Sequence, residues 1–448
     1  MLWFEMALLP DGWSERVRIE VAEGRISRVE TGAEPRSGDE RFGIAIPGLA
    51  NVHSHGFQRG MAGLAESRGP TGDNFWTWRE VMYRFLDRLS PDDVEAITAL
   101  AYVEMLESGF TRVGEFHYLH HDPAGRPYAD IGELAVRIAA AARETGIGLT
   151  LLPVFYAHAN FGGVAPLAGQ RRFITEPASF ARIHERCRHA VDSLIDANVG
   201  IAPHSLRAVT ADELGKILPL APKEPIHIHA AEQTKEVDDC LAWSGTRPVA
   251  WLLDHVPLDQ RWCIVHATHV DSLEVERLAG SGAVAGLCPV TEANLGDGIF
   301  PATEYLGAEG RLGIGTDSNI LVDAPAELRG LEYAQRLLRR ERNVLAPREG
   351  CSTGRALFDR ALSGGMQALG VHEHGLRNGA SADILAFDVD DVAFAGRGDD
   401  IILDRWIFAR ANIRHVWRAG RLVVRDGHHV AAGPIRERYR KSMIGLLE

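Results

Sequence analysis

From about residue 43 onward, short apolar runs of strand length alternate with longer stretches whose apolar positions recur at the helical period. Eight strands are predicted before residue 320, over residues 43–55, 111–117, 149–156, 199–205, 225–231, 261–267, 283–289 and 311–317. Helix signals lie between several of them. Ser90-Pro91-Asp92-Asp93 supplies an N-cap, a proline at the first helical position and an acidic first turn. The helix it opens runs through Val94, Ile97 and Ala101 to a stop at Gly109. A second helix runs from Asp130 to a stop at Gly146, and Thr210-Ala-Asp-Glu and Asp271-Ser-Leu-Glu open two more. Buried strands joined by crossover helices predict an α/β chain folded as a (β/α)₈ barrel. A doubly wound open sheet is the alternative. The barrel is preferred because the first and eighth strands both carry residues suited to one site, and closure makes those strands neighbours.

The two ends of the chain are patterned differently. Residues 16–30 alternate apolar and polar about Glu23-Gly24, which reads as a hairpin. Residues 382–387 and 413–424 alternate likewise, with Ala419-Gly420 as a turn. These predict a small β domain built from both termini, dividing the chain at 1–44, 45–378 and 379–448. A long insertion rich in glycine, arginine and aromatic residues follows the first strand, at 56–89, and is a candidate lid.

Composition narrows the function classes. The 448 residues are 46% hydrophobic and 24% charged, as in a soluble globular protein. With 48 Lys and Arg against 61 Asp and Glu, the net charge of −13 argues against a nucleic-acid or anionic-membrane surface. It does not exclude an anionic small molecule, which a few arginines in a pocket would hold. The five cysteines are widely spaced and form no Cys-x-x-Cys pair, which fits a reduced, cytoplasmic setting. The apolar opening carries Glu5, lacks a basic start and is not read as a signal peptide. No run approaches the ~20 apolar residues that span a bilayer.

The candidate chemistry sits where the predicted strands end: His53 and His55, His117 and Tyr118, His158, His204, His229 and Glu232, His266, Cys288 and Asp317. His53 and His55 are two apart on a strand and share a face, so they can hold one small cation. His372-Glu-His374 has the same spacing but lies outside any strand run and is not read as a ligand pair. In Ile226-His227-Ile228-His229 both histidines share a face; His229 lies nearer the strand end and is favoured as ligand, with His227 structural. His53, His55, His229 and Asp317 then form the predicted metal site, one zinc ion per chain. Zinc would lower a water's pKa from 15.7 to about 7 and so implies hydrolysis. Asp317 is placed to take the water's proton, His266 to orient the attacking oxygen or stabilise the tetrahedral intermediate, and Glu232 to pass a proton to the leaving group. His269 falls past its strand and is the weaker alternative to His266, and Cys288 is read as packing.

These residues resemble the amidohydrolase superfamily over essentially the whole chain. Strand four reads Ile201-Ala-Pro-His204-Ser and offers no lysine for carbamylation, which resembles the single-metal deaminase subgroup. Asn51-Val-His-Ser-His-Gly-Phe-Gln58-Arg, Asn74-Phe-Trp-Thr-Trp-Arg79, Gly114-Glu-Phe-His-Tyr118-Leu-His-His and Ala202-Pro-His204-Ser-Leu-Arg207 are similar to the N-formimidoyl-L-glutamate deiminases. So are His229-Ala-Ala-Glu232-Gln and Leu287-Cys-Pro-Val-Thr-Glu-Ala-Asn-Leu-Gly-Asp-Gly. The resemblance implies hydrolysis of N-formimidoyl-L-glutamate to N-formyl-L-glutamate and ammonia, in histidine degradation, by a homodimer. Arg79 and Arg207 suit the two carboxylates of such a substrate, because each guanidinium offers a bidentate fork. Gln58, Tyr118 and His204 would complete the substrate contacts by resemblance. A related deaminase of an aminated purine, pyrimidine or pterin ring is the enzymatic alternative, and an inactive scaffold of the same fold is the alternative from another class.

Overall fold

The computed structural model describes residues 1–70, 72–396 and 398–448; Thr71, inside the predicted 56–89 insertion, lies outside the described residues. Strands β1 (Leu2–Leu9), β2 (Gly12–Ala22), β3 (Arg25–Glu30) and β4 (Glu40–Pro47) come first. The barrel segment follows with β5 (Leu49–Ser54), β6 (Phe110–His117), β7 (Gly148–Phe155), β8 (Asn198–Val199), β9 (Ala202–Pro203), β10 (Ile226–Ala230), β11 (Trp262–His266), β12 (Val284–Leu287) and β13 (Arg311–Ile314). Strands β14 (Ile384–Phe387), β15 (Ile413–Arg418), β16 (Arg421–Arg425) and β17 (His428–His429) close the chain.

The run predicted as one strand over 43–55 is two. It breaks at Pro47-Gly48, where β4 leaves one sheet and β5 enters another. A side chain at Gly48 would collide with that of Thr111, so only glycine lets the two sheets meet this closely. The terminal sheet has the order β17-β16-β15-β14-β4-β1-β2-β3, and β14 pairs antiparallel with β4, so both termini are joined in one ladder. Its inner face buries Phe4 and Trp417, whose rings meet edge to face at 6.0 Å, with the partly exposed Phe42 packed against Trp417 at 4.7 Å.

The barrel strands run parallel in the order β10-β11-β12-β13-β5-β6-β7-β8. Predicted strand four is divided into β8 and β9, both paired with β7. Parallel bridges from Ile201 to Ile226 and from Ser205 to His229 carry that segment onto β10 and close the ring. An open doubly wound sheet would leave those two edges apart, so the alternative is excluded. The helix caps form as predicted: Ser90, Thr210 and Asp271 each accept a backbone N–H at the start of their helices. Gly109 and Gly146 end theirs in the left-handed conformation. The insertion after β5 is not an open loop. It forms a 3₁₀ turn, Gly56–Met61, and a helix, Phe75–Leu86, capped by Asn74.

At the closed end of the barrel, helix Thr353–Ala368 lies against β5 and β13, and a side chain on Gly364 would strike the backbone of Leu312. His227 Nε2 bonds the Ala368 carbonyl at 2.8 Å, so this histidine ties the barrel to that helix. His229, two residues later, stands at the open, C-terminal mouth, where a barrel carries its chemistry.

Candidate metal centre and substrate cavity

Four donors meet at the barrel mouth. His53 Nε2 lies 3.2 Å from His55 Nε2 and 3.0 Å from His229 Nε2, while Asp317 Oδ1 stands 3.3 and 3.2 Å from His53 and His55. One atom from each of the four residues falls within 4.8 Å of all the others. The register that brings the last strand onto the first depends on Gly315, whose absent side chain would lie 2.8 Å from the His53 carbonyl. The N–H groups of Thr316 and Asp317 both bond that carbonyl, at 3.0 and 2.9 Å. Asn51 accepts from the N–H of His53 and of Thr316, and Asn319 donates to the His55 carbonyl at 3.0 Å, so a polar web fixes the two ligand segments against each other.

The tautomers follow from the neighbours. His55 Nδ1 donates to the Phe116 carbonyl and His229 Nδ1 to the His204 carbonyl, each at 2.9 Å, which leaves both Nε2 atoms as bare lone pairs. Burial lowers the pKa of His53 to about 3, so its ring is neutral and has one proton for two nitrogens. At most one of the close nitrogen pairs is then a hydrogen bond, and the remaining lone pairs face each other. Burial likewise holds His229 well below its ordinary range. Burial pushes Asp317 upward, but its contacts with the His53 and His55 rings outweigh it and hold the carboxyl well below its ordinary range. Three imidazole lone pairs and a carboxylate converging on one point fit a divalent cation.

Beside this point, Arg207, Glu232, His266 and Asp317 form a row. Glu232 stands 3.9 Å from Arg207 through Oε2 and 3.8 Å from His266 through Oε1, and His266 Nε2 lies 3.9 Å from Asp317 Oδ2. Burial raises Glu232 to about 7 against the pull of His266 and Arg207. Burial lowers His266, but Glu232, Glu292 and Asp317 outweigh it and raise it to about 10. Glu292 is the orienting partner, 3.3 Å from His266 Nδ1. The backbone is strained at these strand ends: Ala231, His266, Ala267, Asp317 and Asn319 all have positive φ, between 45° and 67°.

The row opens into a cavity of about 60 Å³ whose wall includes every predicted substrate contact: Gln58, Arg79, Tyr118, His204 and Arg207. Gln58 donates to Tyr118 Oη at 2.6 Å, and its buried Oε1 has no partner. Arg79, on helix Phe75–Leu86, lies 4.6 Å over the Trp76 ring, with Arg207 5.8 Å from the same ring. The Nε atoms of both arginines are buried without a hydrogen-bond partner.

The remaining strand-end candidates have other positions. His158 bonds Glu213 at 3.0 Å, and His117 is buried with neither ring nitrogen partnered. His269 bonds the Asp297 carbonyl at 2.8 Å and is absent from the cavity wall. Cys288 comes within reach of His266 and Asp317, a donor group sharing Asp317 with the first, but burial raises its thiol well above the ordinary value and keeps it protonated. His372 and His374 join no metal-competent group among the described residues. Tyr83, Tyr156 and Phe173 also line the cavity and are not among the residues read from the sequence; Tyr156 ends the third predicted strand, a signal that was available.

The profile of the amidohydrolase family matches residues 44–423, and that of the N-terminal domain of formimidoylglutamate deiminase HutF matches residues 2–43. The chain belongs to the amidohydrolase family. Within it, the chain is 49% identical over 450 residues to the formimidoylglutamate deiminase of Pseudomonas aeruginosa, covering 100% of this chain and 98% of that one. It is 27% identical to the 8-oxoguanine deaminase of the same organism, over 80% of this chain and 77% of that protein. Among solved structures, an amidohydrolase from Brucella melitensis superimposes with a TM-score of 0.97 at 55% identity, covering 100% of this chain and 99% of that one. An adenosine deaminase from Xanthomonas campestris with bound zinc shares the fold, with a TM-score of 0.83 at 21% identity, covering 100% and 98%.

Proposed function

We propose that this amidohydrolase hydrolyses N-formimidoyl-L-glutamate to N-formyl-L-glutamate and ammonia. The observation that carries the reading is the two-ended cavity, with acceptors lacking protons at one end and two arginines whose buried Nε atoms lack acceptors at the other. A linear amidine with two carboxylates satisfies both ends, whereas a neutral ring base leaves the arginines unpaired. Full-length identity to a curated formimidoylglutamate deiminase supports the same reading.

His53, His55, His229 and Asp317 would hold the cation, zinc by the chemistry of the donors, and when bound it supplies Lewis-acid charge that favours deprotonation of water at neutral pH. Arg79 and Arg207 bind the substrate carboxylates, and the unpartnered Gln58 Oε1 accepts an N–H from the formamidine. Water attacks the formimidoyl carbon, and its proton passes to the Asp317 carboxylate. His266 stands beside Asp317 and either orients the attacking oxygen or donates to the charge that develops on it. Glu232, poised near neutrality, delivers a proton to the departing nitrogen, and the bond between that nitrogen and the formimidoyl carbon breaks to release ammonia. The carbon keeps its bond to the glutamate nitrogen, its hydroxyl proton passes to the Glu232 carboxylate just vacated, and it becomes a formyl group. The reading carries with it one zinc per chain, a homodimer and a cytoplasmic setting; no helix of the described residues is long and apolar enough to cross a membrane.

Product analysis by NMR tests the choice of bond. Equal amounts of ammonia and N-formyl-L-glutamate are expected from the zinc-loaded protein. Formamide and glutamate would mean that the other C–N bond breaks and would overturn the roles given to Glu232 and the arginines.

A further inference from the structure

Resting on that reading, we propose that Tyr156 is a specificity residue, donating its phenolic proton to an oxygen of the carboxylate that Arg207 holds, and that Gln170 dictates the direction of this donation. Gln170 is fully buried, and its amide is oriented by the backbone. Its Oε1 accepts the Leu167 N–H at 2.7 Å, so the other branch of the amide is the NH₂ group. That group donates to Tyr156 Oη at 2.7 Å. The phenol oxygen is therefore engaged as an acceptor, and its own proton must point elsewhere. Among the described residues no acceptor receives it.

The place to which it can point is the cavity. Tyr156 is buried in the wall that Arg79 and Arg207 share, and its ring is held edge-on to His204 with centroids 4.6 Å apart. Burial keeps the phenol protonated, the two guanidinium groups opposing it without prevailing. A neutral donor in the same wall as two cations adds little charge, but it adds direction. Arginine forks bind any anion of suitable width, whereas a fixed O–H selects a carboxylate oxygen at one location. An unmet buried donor also penalises a substrate that leaves it without an acceptor, which is how polar sites reject near relatives of their ligands.

Steady-state kinetics of the zinc-loaded full chain test this with three substrates: N-formimidoyl-L-glutamate and two analogues, one lacking the α-carboxylate and one lacking the γ-carboxylate. For Tyr156→Phe the expected result on the dicarboxylate is a KM raised roughly 10- to 100-fold, as for loss of a hydrogen bond to a charged group, with kcat within about threefold of wild type. The effect should vanish on one analogue and persist on the other, which also names the carboxylate. Gln170→Glu keeps an acceptor for Leu167 but takes the phenol proton, so it should raise KM in the wild type far more than in the Tyr156→Phe background. An unchanged KM, an equal effect on all three substrates, or additive effects of the two substitutions would overturn the proposal while leaving the deiminase reading intact. Wild-type protein that fails to turn over the dicarboxylate would overturn both.

Discussion

At the inner end of the cavity, three ring nitrogens and a carboxylate face one another without enough protons to go round; at the outer end, two arginines have buried Nε atoms without acceptors. The inner end is built from the ends of β5 and β10 and the turn after β13, held by backbone bonds and by residues in strained conformations. The outer end is contributed in part by helix Phe75–Leu86, an insertion beyond the barrel frame, with Trp76 as a platform for both arginines. On the proposed reading, the inner end carries out the hydrolysis and the outer end selects what undergoes it. Any amidohydrolase that attacks a carbon–nitrogen bond needs something like the first. Only a substrate with separated negative charges needs the second.

Separating the two ends by substitution is the direct way to break this comparison. The largest effect is expected at Asp317, which belongs to the inner end alone: Asp317→Asn keeps a ligand oxygen but loses the proton acceptor, and kcat should fall by about 10³-fold or more. Removal of the metal by a chelator should abolish turnover in the same way, with zinc restoring it to the wild type but not to Asp317→Asn. Next comes Glu232→Gln, expected to lower kcat by about 10²- to 10⁴-fold with KM little changed. Arg207→Ala should do the reverse, raising KM roughly 100-fold with a smaller change in kcat, and lysine should rescue it only in part. Equal changes in both constants for Glu232 and Arg207 would mean that the two ends are not separable. The smallest effect is expected at His372, where alanine should leave metal content and turnover unchanged.

Much of the inner end was legible because its signals are local. His53 and His55 declare themselves by period-two spacing at the end of an apolar run, and Asp317 by a glycine-rich strand whose glycines allow close approach to the first strand. His227 and His229 were not separable by periodicity, since both point to one side; position along the strand favoured His229, and the His227 bond to the Ala368 carbonyl agrees with it. The break at Pro47-Gly48 was missed for a related reason, as the apolar character runs on while the chain changes sheets. The division of strand four into β8 and β9 was likewise hidden in a continuous run. At the outer end, Arg79 was reached through resemblance and charge logic. Tyr156 and Gln170 were not, because a tyrosine at a strand end is ordinary and the proton direction that makes it matter depends on a backbone bond to Leu167. Glu292 orients His266 across 26 residues of sequence, a separation no spacing rule anticipates.

The most direct test of the two-ended cavity is ammonia release by the zinc-loaded protein, with N-formimidoyl-L-glutamate compared side by side against guanine, cytosine and adenosine. Turnover confined to the dicarboxylate is the expected result. Faster turnover of any ring base would keep the barrel and its metal donors but contradict the assignment of Arg79 and Arg207 as carboxylate receptors.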